Sequence, residues 1–170
     1  MNIVLIGFMG TGKTVIGKRL ARRLKFRFKD IDRIIAKDAG MTIAGIFRKK
    51  GEPYFRHLER KTLSRVCRMD RVVIAPGGGA VKSAANRRLM KKNGIVVALK
   101  AKPEVILKRL KNDHARPLLF GPDKMSRIKK VLRERRGLYS GDLSIDTSNL
   151  TVSQTVEKII KWLGSKNRIS

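Results

Sequence analysis

Four residues at fixed spacing, Gly7, Gly12, Lys13 and Thr14, frame the segment Gly7-Phe8-Met9-Gly10-Thr11-Gly12-Lys13-Thr14. This is the pattern G-x-x-x-x-G-K-[ST], and its chemistry is polyphosphate binding. Glycines let successive backbone N–H groups turn inward around an anion, and a following helix adds the positive end of its dipole. Gly10, Thr11 and Gly12 would supply that cradle. Lys13 can reach the β- and γ-phosphates, and the Thr14 hydroxyl can ligate Mg²⁺.

Asp30 and Asp32 form a second candidate constellation. They stand where a short strand should give way to a helix. Read as an extended strand end, residues two apart point to one side. Two carboxylates there suit support of Mg²⁺ and acceptance of a hydroxyl proton. The plainer reading is that one of them caps the helix. Arg56 and Glu59 lie three apart, hence on one helix face. They form either a surface ion pair or an arginine clamp for a substrate carboxylate, with Glu59 orienting the guanidinium. Gly77-Gly78-Gly79 follows an apolar run and permits close approach of backbone to ligand. Arg116 and Pro117 lie in an irregular stretch, 114–124, after Arg109. An arginine on a closing loop can neutralise a transferring phosphoryl group, and such a loop excludes water. Of Arg133, Arg135 and Arg136, at least one should lie near the site. Neither histidine has a metal-binding spacing, and there is no nucleophile motif such as G-x-S-x-G. Direct transfer fits better than a covalent intermediate.

These residues need elements to hold them. Apolar runs at 2–6, 72–75 and 94–99, with weaker ones at 26–29 and 143–146, predict five strands. Helical spacing marks 12–24, 31–39, 42–49, 53–68, 83–92, 103–112, 124–137 and 152–163. Strands alternating with helices predict an α/β fold, a parallel sheet covered on both faces. The chain has 170 residues and is 42% hydrophobic, which suits a single domain, 1–170, with a substantial core.

The charge is extreme, with 41 Lys+Arg against 13 Asp+Glu and a formal net charge of +28. Residues 13–29 hold eight basic residues and no acidic one, and 124–136 hold seven against Glu134 alone. Such charge attracts polyanions. It is spread along the chain, however, with only 5% aromatic residues to stack on bases. A solvated basic surface is therefore the expectation, without a specific nucleic-acid partner. Cys67 is the only cysteine, which rules out an internal disulfide and a cysteine metal cluster. With the phosphate loop, this suggests the cytoplasm. No apolar run approaches the ~20 residues of a membrane span, and residues 2–6 read as a strand and not a signal peptide.

The set of motifs resembles the shikimate kinase family. The similarity rests on G-F-M-G-T-G-K-T, on F-x-D-x-D at Phe28 to Asp32, and on G-x-x-I-x-x-I-F at Gly40 to Phe47. It continues with G-E-x-x-F-R-x-x-E at Gly51 to Glu59, Gly77-Gly78-Gly79, R-P-L-L at Arg116 to Leu119, and R-x-x-L-Y at Arg135 to Tyr139. The resemblance implies a three-layer α/β/α P-loop kinase domain of the nucleoside-monophosphate-kinase type. It would have a five-stranded parallel sheet, a substrate-binding helical region near 31–60 and a lid near 113–124. It implies ATP-dependent phosphorylation of the 3-hydroxyl of shikimate, with Mg²⁺ as cofactor and a monomeric protein. Carried over residue by residue, it makes Lys13, Asp32 and Arg116 catalytic. Gly10, Thr11, Gly12, Lys13, Thr14, Arg109 and Pro117 would bind the nucleotide, and Thr14 and Asp30 the metal. Asp32, Arg56, Gly78, Gly79 and Arg135 would bind shikimate. Two departures stand out: Gly137 replaces a proline frequent in the family, and the Tyr139–Asp142 connection is about two residues short. The rivals are a kinase of another small hydroxy acid such as gluconate, and a nucleic-acid-binding protein on a kinase scaffold.

Overall fold

The computed structural model describes residues 1–111 and 123–167. Five parallel strands form one sheet in the order β2-β3-β1-β4-β5. They are β1 (Asn2–Gly7), β2 (Arg27–Asp30), β3 (Val72–Ala75), β4 (Gly94–Lys100) and β5 (Leu143–Asp146). The helices between them are α1 (Lys13–Leu24), α2 (Ile31–Asp38), α3 (Ile43–Cys67), α4 (Ala84–Asn93), α5 (Pro103–Arg109), α6 (Lys124–Glu134) and α7 (Val152–Ser165). The α/β fold with a five-stranded parallel sheet expected from the sequence is thus the one observed.

The pleat of the central strands sorts the core into two layers. Val4 and Ile6, Ile74, Val96 and Ala98 face α2, α3 and α4, where they meet Ile31, Phe55, Leu63 and Met90. Ile3, Leu5, Val73, Val97 and Leu99 face α1 and α7, where they meet Ile16, Leu20, Ile159 and Leu163. Burial on both faces explains why β1, β3 and β4 are apolar without alternation. A third cluster, Phe8, Ile106, Leu110 and Ile128, packs α5 and α6 over the end of β1.

Two features of α3 and α6 position the site. Gly51 interrupts α3 at φ 81, ψ 170. The 42–49 and 53–68 patterns are therefore the two arms of one bent element, with Pro53 in the first turn of the second arm. The sequence pattern extends α6 to 137, but the helix ends at Glu134. Gly137, at φ 85, turns the chain back, and the N–H of Leu138 bonds to the carbonyl of Arg135 at 3.0 Å. Arg135 consequently sits in a capping turn that points toward the sheet. No helix among the described residues is long and apolar enough to cross a membrane.

Candidate active site

β1 is the middle strand, flanked by β3 and β4. Successive connections leave it in opposite directions, which opens a crevice at its carboxyl end. The loop Gly7–Gly12 fills that end. A Cβ at Gly7 would overlap the Leu99 carbonyl oxygen, so β1 can lie against β4 there only as glycine. Gly10 and Gly12 have φ 77 and 95, the left-handed region that turns N–H groups inward. The Thr11 hydroxyl donates to the Phe8 carbonyl at 2.7 Å. Lys13 Nζ arches back to the carbonyls of Gly7 and Phe8 at 2.8 and 3.0 Å. This is an anion cradle at the start of α1 with its lysine held over it.

The two aspartates meet different neighbours. α2 starts at Ile31, so Asp30 is its N-cap and Asp32 lies in its first turn. Asp30 does two things. Its Oδ1 accepts from the Arg33 N–H at 3.2 Å, and its Oδ2 accepts from the Thr14 hydroxyl at 3.0 Å. Capping and site contact, posed as alternatives from sequence, coexist. Asp32 lies against the glycine loop after β3, where a Cβ on Gly77 would stand 2.6 Å from Asp32 Oδ1. The pairing of Asp30 with Ala75 across β2 and β3 brings that loop alongside.

Thr14 and Asp30 offer hard oxygen donors side by side. Among the described residues no group of three His, Cys, Asp or Glu could hold a metal ion. That sparse donor set suits Mg²⁺, which keeps several waters and takes one or two protein oxygens together with substrate phosphates.

Arg56 projects from α3 against Gly79, where a Cβ would stand 2.6 Å from Nη2. Its Nε donates to Glu52 at 3.0 Å, and its Nη1 donates to Glu59 Oε2 at 2.8 Å. Glu59 is 1% exposed, so the pair is not a surface ion pair. Burial pushes the Glu59 carboxyl above its usual range, and the Arg56 charge opposes this in part. Burial works against the charge on Arg56, but Glu59 and Glu52 more than offset it and hold the guanidinium protonated. Glu59 Oε1 has no hydrogen-bond partner and faces Gly77.

Arg135 reaches the same glycine loop from the turn after α6. Its Nη1 donates to the Gly78 carbonyl at 2.9 Å and to Tyr139 Oη at 3.2 Å. Tyr139 donates to the same carbonyl at 2.7 Å. The shortened connection and Gly137 therefore leave Arg135 in contact with the glycine loop. Gly78 in turn packs against Gly7, Phe8 and Met9. Arg109 bonds to the Gly10 carbonyl at 3.2 Å, to Thr147 Oγ1 at 3.0 Å and to the Thr147 carbonyl at 2.7 Å. It thereby ties the phosphate loop to the chain after β5.

Lys13, Thr14, Asp30, Asp32, Arg56, Gly78, Gly79 and Arg135 thus converge on one crevice, with Arg109 at its edge. Arg116, Pro117 and most of the expected lid, 113–124, lie outside the described residues. Sequence reasoning named Gly77 only as part of a glycine run, not as the residue that makes room for Asp32, and it missed two positioning residues, Thr147 and, as a contact of Gly78, Tyr139. The R-x-x-L-Y spacing of Arg135 and Tyr139 was the one available signal for Tyr139.

The shikimate kinase family profile matches residues 9–164. A shikimate kinase of Pelotomaculum thermopropionicum is 46% identical over 99% of this chain and 98% of its own length. One of Caldanaerobacter subterraneus subsp. tengcongensis is 45% identical over 94% of each. Among solved structures, shikimate kinase from Acinetobacter baumannii in complex with shikimate superposes with a TM-score of 0.93. It has 36% identity and covers 97% of this chain and 93% of that one. A phosphate loop, a carboxylate beside it and two arginines from different elements on one glycine loop, joined to likeness over nearly the whole chain, lead to one assignment: the chain belongs to the shikimate kinase family.

Proposed function

We propose that the chain transfers the γ-phosphoryl group of ATP to the 3-hydroxyl of shikimate, giving shikimate 3-phosphate and ADP. The observation that carries the reading is that Arg56 and Arg135, from two different elements, both reach the glycine loop, at Gly79 and Gly78, next to a phosphate cradle. A rigid cyclic carboxylate fits between two planar guanidinium forks. Arg56 and Arg135 grip the substrate carboxylate, and Gly78 and Gly79 line the pocket. Asp32 accepts or orients the proton of the 3-hydroxyl as its oxygen attacks the γ-phosphorus, and the bridging oxygen leaves with ADP.

Lys13 holds the β- and γ-phosphates. Thr14, with Asp30 acting through water, would hold Mg²⁺, which when bound neutralises charge on the phosphates. Arg109 and Pro117 flank the adenine, and Arg116 closes over the phosphates. Residues 31–60 form the substrate-binding region and 113–124 the lid of a single domain, active as a monomer in the cytoplasm where ATP is supplied. Chemistry of this kind depends mainly on positioning and electrostatics.

The test is ATP consumption by the purified chain with shikimate, quinate, gluconate and nucleoside monophosphates offered separately. Turnover dependent on shikimate is expected. Preference for gluconate or a nucleoside monophosphate would overturn the reading, as would tight sequence-selective nucleic-acid binding at ~0.15 M salt without any turnover.

A further inference from the structure

A cavity of about 510 Å³ lies behind the phosphate loop, between the carboxyl end of β4, β5 and the end of α6. Its walls are largely apolar, with Phe8, Leu99, Leu132 and Tyr139 among them. Its polar side chains include Lys100, Arg136, Ser140 and Ser144. No carboxylate among the described residues lines the cavity. Among the described residues, Lys100 and Arg136 join no ion pair. Asp146, which pairs with Lys100 across the sheet, is engaged by the N–H and hydroxyl of Ser148 at 2.8 and 2.5 Å.

We infer that this cavity is a second binding site, for a small carboxylic acid with an apolar ring or chain. Arg135, Tyr139 and Thr11 also line the cavity but are held by the carbonyls of Gly78 and Phe8. The cations Lys100 and Arg136 and the hydroxyls of Ser140 and Ser144 have no fixed acceptor among the described residues, so the complementary group is an anion. The apolar floor excludes a bare inorganic ion as the best ligand, because its walls would then remain solvated. The site is separate from the shikimate pocket proposed above. That pocket draws on Asp32, Arg56 and Gly79 toward β2 and β3, whereas this one draws on β4 and β5 across the sheet. Arg135 and Tyr139 border both.

The experiment is a ¹H–¹⁵N NMR titration of the full chain at ~0.15 M salt with 2-naphthoate, 2-naphthalenemethanol and inorganic phosphate in separate arms. It reads binding alone, so it stands or falls independently of which substrate is phosphorylated. Naphthoate should give saturable shifts at Ala101, Leu132 and Ser144, also in the presence of saturating shikimate. The neutral alcohol and inorganic phosphate should each bind at least about tenfold more weakly, on the scale of one lost charged hydrogen bond. The double variant Lys100→Ala, Arg136→Ala should weaken naphthoate about tenfold or more and leave the KM for shikimate and ATP unchanged. Ser144→Trp, which fills the cavity, should abolish binding. Unsaturable shifts spread over the basic faces of α1 and α7, equal binding of phosphate, or displacement by shikimate would each overturn the inference.

Discussion

Replacing Gly79 by alanine tests the carboxylate clamp without touching a charged residue. The backbone at Gly79 has φ −93 and ψ −9, which any residue adopts, so the effect comes from the Cβ alone. That atom would stand 2.6 Å from Arg56 Nη2, 2.9 Å from Nη1 and 3.1 Å from Cζ. Ordinary contact needs roughly 3.5 Å, so the guanidinium must retreat by about 1 Å. Arg56 is flexible, and the fold should tolerate the shift. The 2.8 Å bond to Glu59 and the alignment of the fork with a carboxylate should not. A charged hydrogen bond contributes about 1.5–3 kcal/mol, which corresponds to a rise of about 10- to 100-fold in the KM for shikimate. Initial ADP-release rates against shikimate at saturating ATP measure it, and the KM for ATP should hold. Gly77→Ala is the companion. Its Cβ would meet Asp32 Oδ1 at 2.6 Å, so it should lower kcat more than it raises KM. A folded Gly79→Ala variant with unchanged KM for shikimate would refute the clamp, and so would a loss falling equally on ATP.

Lys13→Ala should cost about 10²-fold or more in turnover, the scale of one lost transition-state contact, with the melting temperature preserved because Lys13 lies outside the core. Near-normal turnover would remove the phosphate-loop assignment. Tyr139→Phe deletes the hydroxyl that shares the Gly78 carbonyl with Arg135. It should raise the KM for shikimate several-fold while kcat and the KM for ATP stay close to the parent values, and an equal fall in kcat would mean a general structural role. Burial pushes the Cys67 thiol up to about 11. The reactive thiolate should therefore be scarce in the folded chain at pH 8, and iodoacetamide labelling slow. In denaturant the thiol returns to about 8.5 and labelling should become rapid; fast labelling of the native chain would show Cys67 to be accessible.

The sheet was legible because β1, β3 and β4 are covered on both faces and carry uninterrupted apolar runs. The edge strands β2 and β5 gave weaker signals, since each is paired on one side only. Gly51 and Pro53 announced the bend in α3. The end of α6 was misread because Leu138 and Tyr139 continue an apolar pattern, while Gly137, the residue that stops the helix, looks permissive and not terminating. The site divides along the same line. Gly7 to Thr14 is local, and spacing alone describes it. The contact of Asp30 with Thr14 joins residues 16 apart across the end of β2 and the start of α1, and spacing does not carry it. The fit of Gly77 to Asp32 depends on the β2–β3 register. The bond from Tyr139 to Gly78 spans 61 residues, and no periodicity carries that information.

In the proposed reaction one oxygen of one substrate receives the phosphoryl group. Product formed from ATP and shikimate by the purified chain can be examined by ³¹P NMR with coupling to ring protons. A phosphate monoester coupled to the proton on C3, formed in step with ADP and lost in Lys13→Ala, is the predicted result. A phosphate on another hydroxyl, or ADP formed without any phosphorylated shikimate, would contradict the account.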